Sequence, residues 1–562
     1  MNNNVLDIKD HIVFLVYFVI VAAYGIYIYY RKKSKSEDSK DYFLAEGSLT
    51  WWAIGASLIA SNISAEQFIG MSANGFTMGL AIAAYEWMAA ATLIVVAVFF
   101  IPVYLKNKIY TMPQFLHERY NGTVAIIMAV FWLLLYVVVN LTSILFLGAL
   151  AISSISGFSI TACMIFLAIF AVIITLGGMK VIGFTDVIQV FFLILGGLAT
   201  TYLALDLVAK HFGTEGAIEG FKHLTMQADS HFDMILEQDN PHYISLPGLS
   251  ILIGGMWIVN LSYWGCNQYI TQRALGAELK TARRGLLFAA FLKLLMPIIV
   301  VLPGIAAYVL FKNGYFQQEM MVNGELVQDK AYPVLLNLLP SGLKGLSFAA
   351  LTAAVVASLA GKANSIATIF TLDIYKKRFK PDANETQQVW VGRATIVISM
   401  LIAVVIAPFL GIDKKGGFEF IQEYTGFVSP GIFAMFILGF FWKKTTSNAA
   451  LFATIGGFAL SVIFKIMPRW VDLEFLSGMG FSKQVLQKDG SAIYEIPFID
   501  RMGFVFLFAV LGMYIISVLE NKRGVVPNGL EVDSKMFRTD SKFAIGALLI
   551  IGIIAALYTV YW

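Results

Sequence analysis

Runs of about 20 mostly apolar residues recur along this chain from residue 11 to Trp562, and a run of that length makes one helical crossing of a bilayer's hydrocarbon core. Within lipid only helices and closed barrels satisfy every backbone N–H and C=O. A barrel strand reads as about 10 residues of alternating polarity, a pattern these runs lack. The chain is therefore expected to be an all-α polytopic membrane protein. Composition agrees: 58% of the 562 residues are hydrophobic, 14% are charged, and mean hydropathy is +0.75, a balance foreign to water-soluble domains.

Apolar length and polar interruptions place spans near 11–31, 47–75, 79–105, 122–152, 158–179, 182–208, 248–270, 284–311, 343–371, 388–411, 420–441, 447–467, 500–519 and 541–561, about fourteen in all. The first run lacks the basic flank and small-residue cleavage site of a signal peptide, so it is expected to stay as an anchored helix. Lys and Arg gather in every second loop: Arg31-Lys32-Lys33, Lys106 with Lys108, Arg273 with Lys280-Arg283-Arg284, Lys376-Lys377-Arg378, Lys443-Lys444 and Lys522-Arg523. The positive-inside rule makes those loops cytoplasmic and both termini external. Asn62, Asn121, Asn140, Asn260 and Asn384 each begin a glycosylation sequon, but all fall in spans or cytoplasmic loops, which favours a bacterial inner membrane. The longer loops, near 209–247, 312–342 and 469–499, are too short for a separate soluble domain, so residues 1–562 read as one membrane domain.

Several classes drop out. The net charge of +4 gives no footprint for nucleic acid. Cys163 and Cys266 lie in apolar runs and offer no disulfide framework or metal site. All six histidines lie outside the spans or at a span edge, leaving no imidazole relay inside the membrane. No His-Glu-x-x-His, Gly-x-Ser-x-Gly or phosphate-cradling lysine loop occurs, so the chain is expected not to be an enzyme and to need no cofactor.

A charged side chain at mid-bilayer costs roughly 2.5–3.5 kcal/mol on insertion scales, so each one calls for a partner, a wet cavity or a function. The second span carries the cluster Asn62-Ile63-Ser64-Ala65-Glu66-Gln67. Ser and Asn side chains compete with helical hydrogen bonds, so the helix is expected to unwind there. The seventh span has a matching candidate at Asn260-Leu261-Ser262-Tyr263. Paired interruptions in two halves of a membrane protein point to a midplane site. Glu86, Asn140, Asp186, Lys293, Ser358, Lys362 and Gln422 converge on the same depth. Taken singly, Asn140 and Asp186 read as satisfied interhelical hydrogen bonds; the coincidence points to a site. Amides such as Gln67, Asn260 and Gln422, with Glu86 and Lys293, suit the vicinal hydroxyls of a sugar. Tyr263 could lie against a pyranose face with Asn62 holding its hydroxyl.

With these residues in view, the chain resembles the sodium:solute symporter family, in its sodium/glucose cotransporter group. Ordered matches carry the resemblance: Asp41 to Ala45, Trp51 to Ser57, Asn62 to Gly70, Tyr85 to Met88, Thr185 to Gln189, Asn260 to Arg273, Pro303-Gly304, Phe370 to Tyr375, Gln422 to Gly426, Ser429 to Gly431, and Trp442 to Thr446. The resemblance implies a LeuT-type core of two inverted five-helix repeats, 47–208 and 248–441, with peripheral helices at 11–31 and 447–562. It implies a co-transported sodium ion and a sugar: Gln67, Glu86, Asn260, Lys293 and Gln422 as hydroxyl ligands, with Asn140 at the same site. Tyr263, held by Asn62, would be the inner gate; Met71, Tyr85 and Phe418 would be the outer gate. Sodium would meet the carbonyls of Ala60, Ile63 and Ala354 and the Ser358 hydroxyl.

Two positions depart from the family pattern. Ala357 replaces the second hydroxyl of the ion site, and Ala89 stands where a serine often flanks the sugar. Lys362 follows Ser358 by one helical turn. Paired with Asp186 on the ion's path, its ammonium would partly replace sodium, making coupling weaker or proton-based; the alternative is that it snorkels to cytoplasmic water. Inositol, sialic acid, amino acids and vitamins are the competing solutes within the family.

Overall fold

The computed structural model describes residues 6–31, 49–64, 66–322, 324–409, 417–487 and 490–562. The basic pair Lys32-Lys33, the motif 41–45, positions 47–48 of the second expected span, Ala65 of the break and positions 410–411 lie outside the described residues. Among the described residues, ten helical stretches are long and apolar enough to cross a bilayer, and Ile160–Thr175 and Ser429–Phe441 are shorter apolar helices.

The bundle begins with α1 (Ile8–Arg31), whose Asp10 carboxylate accepts from the amides of Gly342 and Gly345 at 2.7 and 2.8 Å. This pins α1 to the start of a long helix deeper in the bundle. The second span is broken. Helix α2 (Trp51–Asn62), capped by the Thr50 hydroxyl, ends where Ile63 turns extended at φ −76° and ψ 104°. A π-helical turn, Glu66–Met71, then leads into α3 (Ser72–Met78), and Gly79 reverses the chain with φ +73°. The expected break at 62–67 is therefore present, for the expected reason: the Ser64 amide donates to Gln67 Oε1 at 3.1 Å instead of continuing a helical ladder.

Helix α4 (Ala84–Val95) continues to Lys106, the short α5 (Met112–Arg119) follows, and α6 (Gly122–Ser156) carries a π-turn at Leu135–Leu141 around Asn140. Next come α7 (Ile160–Thr175), capped by Ser159, and α8 (Gly178–His211), longer at both ends than the expected 182–208. Outside the spans lies α9 (Ala217–Gln227).

The seventh span departs from expectation. Asn260 to Tyr263 sit inside an intact helix, α10 (Gly255–Gly265), and the chain breaks after it, at Cys266-Asn267, before α11 (Gln268–Leu275). The Asn260 side-chain amide donates to the Met256 carbonyl one turn back, at 3.1 Å, so its polarity is absorbed by the helix rather than ending it.

Helix α12 (Leu279–Lys312) is the spine of the bundle and packs along α2, α3, α4 and α8. Its approach to the broken helix is too close for side chains: a Cβ on Gly304 would lie 2.1 Å from the Ser72 carbonyl, and one on Gly75 would lie 2.5 Å from that of Val301. Small residues at such crossings let backbones pack together in lipid, where no hydrophobic drive between helices operates. The nearly wholly buried α13 (Leu343–Phe379) crosses α2 and α8, and α14 (Glu385–Ile406) lines its flank. Then come α15 (Gly417–Gly426), α16 (Ser429–Phe441), α17 (Ser447–Arg469), α18 (Phe498–Lys522) and α19 (Ser541–Val560). Two small hairpins, Met321–Val322 with Glu325–Leu326 and Lys483–Leu486 with Ala492–Glu495, decorate the loops of this otherwise helical fold. Both cysteines are buried and free.

Candidate functional site

The two breaks face one another across a central pocket. It is lined by Asn62 and Gln67 of the first break, Tyr85, Glu86 and Ala89 of α4, Asn140 of α6, Asn260 and Tyr263 of α10, Lys293 of α12, and Phe418 and Gln422 of α15. Every sugar ligand expected from the sequence is thus gathered at one place, from five separate stretches of chain. Asn140, which singly read as a packing residue, belongs to this lining as well.

A hydrogen-bonded chain ties the polar set together. Lys293 Nζ donates to Glu86 Oε2 at 2.5 Å and also to Asn62 Oδ1. Asn62 Nδ2 donates onward to the Tyr263 hydroxyl at 3.0 Å. The Lys293–Glu86 pair is 1% and 4% exposed. Removing two charges from water this thoroughly costs several kcal/mol per ion, recovered only through close geometry and further hydrogen bonds. Asn62 supplies one, and the Trp264 ring lies 5.3 Å from the ammonium.

Aromatic rings pack at two sides of the pocket. Towards one side, Tyr85 and Phe418 meet edge-on with ring centroids 5.0 Å apart, and Met71 is buried on the π-turn beside the break. Towards the other, Tyr263 packs edge-on against Tyr269 at 5.7 Å, and Tyr269 against Tyr136 at 5.6 Å. The pocket's volume is about 60 Å³, room for about two waters and less than a hexose.

Trp264, Asn267, Tyr269, Ile421 and Thr425 also line the pocket and escaped sequence reasoning. Asn267 and Tyr269 flank the real second break, so locating that break correctly would have exposed them. Thr425 lies three positions after Gln422 and four after Ile421, spacings that share a helix face.

The residues expected to hold the ion lie beside the first break. Ala60, Ile63, Ala354 and Ala357 are buried where α13 crosses α2, and the Ser358 hydroxyl donates to the Ser61 carbonyl at 3.1 Å. A serine hydroxyl and a carbonyl at a helix end are oxygen donors suited to a hard cation.

Asp186 and Lys362 are not the pair expected. Asp186 Oδ2 accepts from the Ser57 hydroxyl at 2.5 Å, that hydroxyl accepts from Arg273 Nε at 2.8 Å, and Arg273 Nη2 lies 4.0 Å from Asp186. Arg273 reaches in because position 361 is glycine: a Cβ there would lie 2.6 Å from Nη2. Lys362 does not snorkel either. It is 2% exposed, lines the central pocket, and holds its ammonium 4.8 Å from the Tyr269 ring centroid.

A helical membrane bundle with a polar pocket between two broken helices is built as a transporter with a midplane site. A family model, the sodium:solute symporter family, matches residues 42–457. The chain is 45% identical over 99% of its length to the sodium/glucose cotransporter of Vibrio parahaemolyticus, covering 99% of that protein. It is 32% identical to the human sodium/myo-inositol cotransporter 2, over 82% of this chain and 70% of that one. A Na+-coupled sialic acid symporter, solved substrate-bound and outward-open, superposes with a TM-score of 0.74 at 22% identity, covering 91% of this chain and 98% of that one. The protein belongs to the sodium:solute symporter family and has its LeuT-type fold.

Proposed function

We propose that the protein carries a hexose of the glucose or galactose type into the cell together with sodium, by alternating access. The observation that carries this reading is the central pocket itself, in which amide, carboxylate and ammonium groups surround a small volume capped at each side by aromatic rings. Full-length similarity to a sodium/glucose cotransporter supports the same substrate class.

In this reading Gln67, Asn260 and Gln422 present both donors and acceptors to the sugar hydroxyls, while Lys293 and Glu86 supply charge-assisted bonds. Asn140 contributes a further amide. Tyr263 stacks beneath the ring and is released when its bond to Asn62 breaks, opening the inner gate; Met71, Tyr85 and Phe418 part to admit the sugar from outside. Sodium sits against the carbonyls of Ala60, Ile63 and Ala354 and the Ser358 hydroxyl. It stabilises the break and so the binding-competent arrangement of Asn62 and Gln67. The inverted repeats are placed at 47–208 and 248–441, with 11–31 and 447–562 peripheral, in a bacterial inner membrane with both termini outside.

Uptake of labelled hexoses into proteoliposomes, driven by an inward sodium gradient and repeated in choline, tests this. Accumulation of galactose or glucose only with the gradient is the expected result. Accumulation of inositol or sialic acid instead would assign another solute of the family.

A second reading concerns coupling. Ala357 removes a hydroxyl from the ion site, and Lys362 places a buried cation on the same helix within the pocket lining. In this reading Lys362 takes over part of the ion's role. Lys362→Met is then expected to make uptake more dependent on sodium than in the parent; equal dependence in both proteins removes Lys362 from coupling.

A further inference from the structure

A second cavity, of about 920 Å³, opens where α5 and the start of α6 meet the end of α13, and shares no lining residue with the central pocket. Its inner wall is apolar, with Ala125, Ile126 and Leu372, and its rim is basic, with Lys376, Lys377 and Arg378. The charges around it can be balanced one by one. Lys377 is neutralised by Asp373 at 2.8 Å, and that carboxylate also accepts from Thr111 at 3.2 Å. Glu118 accepts from Gln114 at 2.6 Å. Lys376 has only a neutral partner, Gln388, at 3.4 Å, and Arg378 makes no ion pair among the described residues. Two uncompensated cations therefore face one carboxylate, with the exposed His117 alongside.

The depth of the cavity in the bilayer follows from its neighbours. Lys376, Lys377 and Arg378 form one of the basic loops that the positive-inside rule assigns to the cytoplasm. Trp390, two residues after the Gln388 that meets Lys376, is 67% exposed, and tryptophan rings settle at the headgroup level. A large apolar groove with a basic rim, at the cytoplasmic headgroup level, has the composition of an anionic lipid site.

The geometry points to a binding site for an anionic phospholipid, with the headgroup phosphate between Lys376 and Arg378 and an acyl chain along Ala125, Ile126 and Leu372. The membrane itself supplies this ligand, and the charge excess selects the anionic lipids of the cytoplasmic leaflet. The assignment stands apart from the transport reading, since none of these residues lines the central pocket.

A basic residue close to an anionic lipid surface contributes about fivefold in affinity. Native mass spectrometry of the purified full chain, titrated with phosphatidylglycerol or phosphatidylcholine, measures it. The parent is expected to retain phosphatidylglycerol at least tenfold more strongly than phosphatidylcholine. Arg378→Gln should weaken that retention about fivefold, and Lys376→Ala with Arg378→Ala about twentyfold. The control pair Lys443→Ala and Lys522→Ala, at other cytoplasmic basic loops, should leave it unchanged. Equal retention of the two lipids, or retention unmoved in the double variant, overturns the proposal. Displacement of phosphatidylglycerol by millimolar inorganic phosphate also overturns it, assigning the rim to free phosphate.

Discussion

Lys293 concentrates the physics of this protein at the scale of one residue. Its ammonium is buried, touches the Glu86 carboxylate and the Asn62 amide oxygen, and lies near the face of Trp264. Lys293→Ala leaves Glu86 buried without its cation, a loss of about 3–5 kcal/mol for broken buried pairs. A lower melting temperature in detergent and loss of sugar uptake are both expected. The paired change Lys293→Met with Glu86→Gln removes both charges, so most of the lost stability should return while uptake stays absent. Recovery of uptake in the paired variant would show that the ion pair only supports the fold. That Glu86 and Lys293 would line a pocket was legible in the sequence, because charge within an apolar run needs a reason. Their union was not, since 207 positions separate them. The same distance blindness misassigned Asp186: Arg273, at a basic loop by sequence, turns inward through the gap left by Gly361 and takes the place given to Lys362.

At the scale of elements, helix ends decide where the site can form. The first break was legible because Asn62, Ser64 and Gln67 satisfy the local backbone with their own side chains. The second was misplaced by a few residues because Asn260 does the opposite, folding its amide back onto α10. Polarity alone does not distinguish these two behaviours. The end of α16 offers a test of how such ends are held. Arg119, buried on α5, donates to the carbonyls of Gly439, Trp442 and Thr445 at 2.8, 2.9 and 3.0 Å. Gly439 lies in the last turn of α16 and Trp442 at its cap, where a terminating helix leaves carbonyls without intrahelical donors, and Thr445 lies in the turn that follows. Hydrogen bonds to a charged group contribute about 1.5–3 kcal/mol each and are not additive. Arg119→Ala should therefore lower thermal stability in detergent by several degrees. Arg119→Lys should not restore it, because a single ammonium cannot reproduce a planar fork aimed at three carbonyls. Full rescue by lysine would mean that charge alone matters there.

For the molecule as a whole, the loops near 209–247 and 469–499 form a cap on the end of the broken helix. Gln238 donates to the Ser477 and Ser482 carbonyls, Tyr243 to that of Gly480, and His231 Nε2 lies 3.2 Å from the Phe76 carbonyl while its ring stacks on Tyr308 at 4.0 Å. Burial pushes His231 and His242 below the ordinary 6.5, with nearby Lys312 and Lys483 acting in the same direction. A histidine lowered in the folded state favours the neutral form. Its stabilisation is complete above pH 6.5 and falls away as the pH drops below that value, because the opened cap binds the proton first. Melting temperature should thus decline between pH 7.5 and pH 5.5, and His231→Gln with His242→Gln should flatten that decline. An unchanged slope in the double variant would clear both histidines.

What the sequence determined by itself was the solvent, the helical class, the first break and most of the side chains around the pocket. Each of these depends on local hydrophobicity, local hydrogen-bond competition or the cost of burying charge, all of which can be read from neighbouring residues. The tertiary structure alone decided which polar groups meet: Lys293 with Glu86 and Asn62, Asp186 with Ser57 and Arg273, and Lys362 with the ring of Tyr269. It also decided that aromatic pairs flank the pocket and that the cap rests on α3. Those outcomes depend on how closely helices can cross, which glycines such as Gly75, Gly304 and Gly361 permit through contacts with residues distant in sequence.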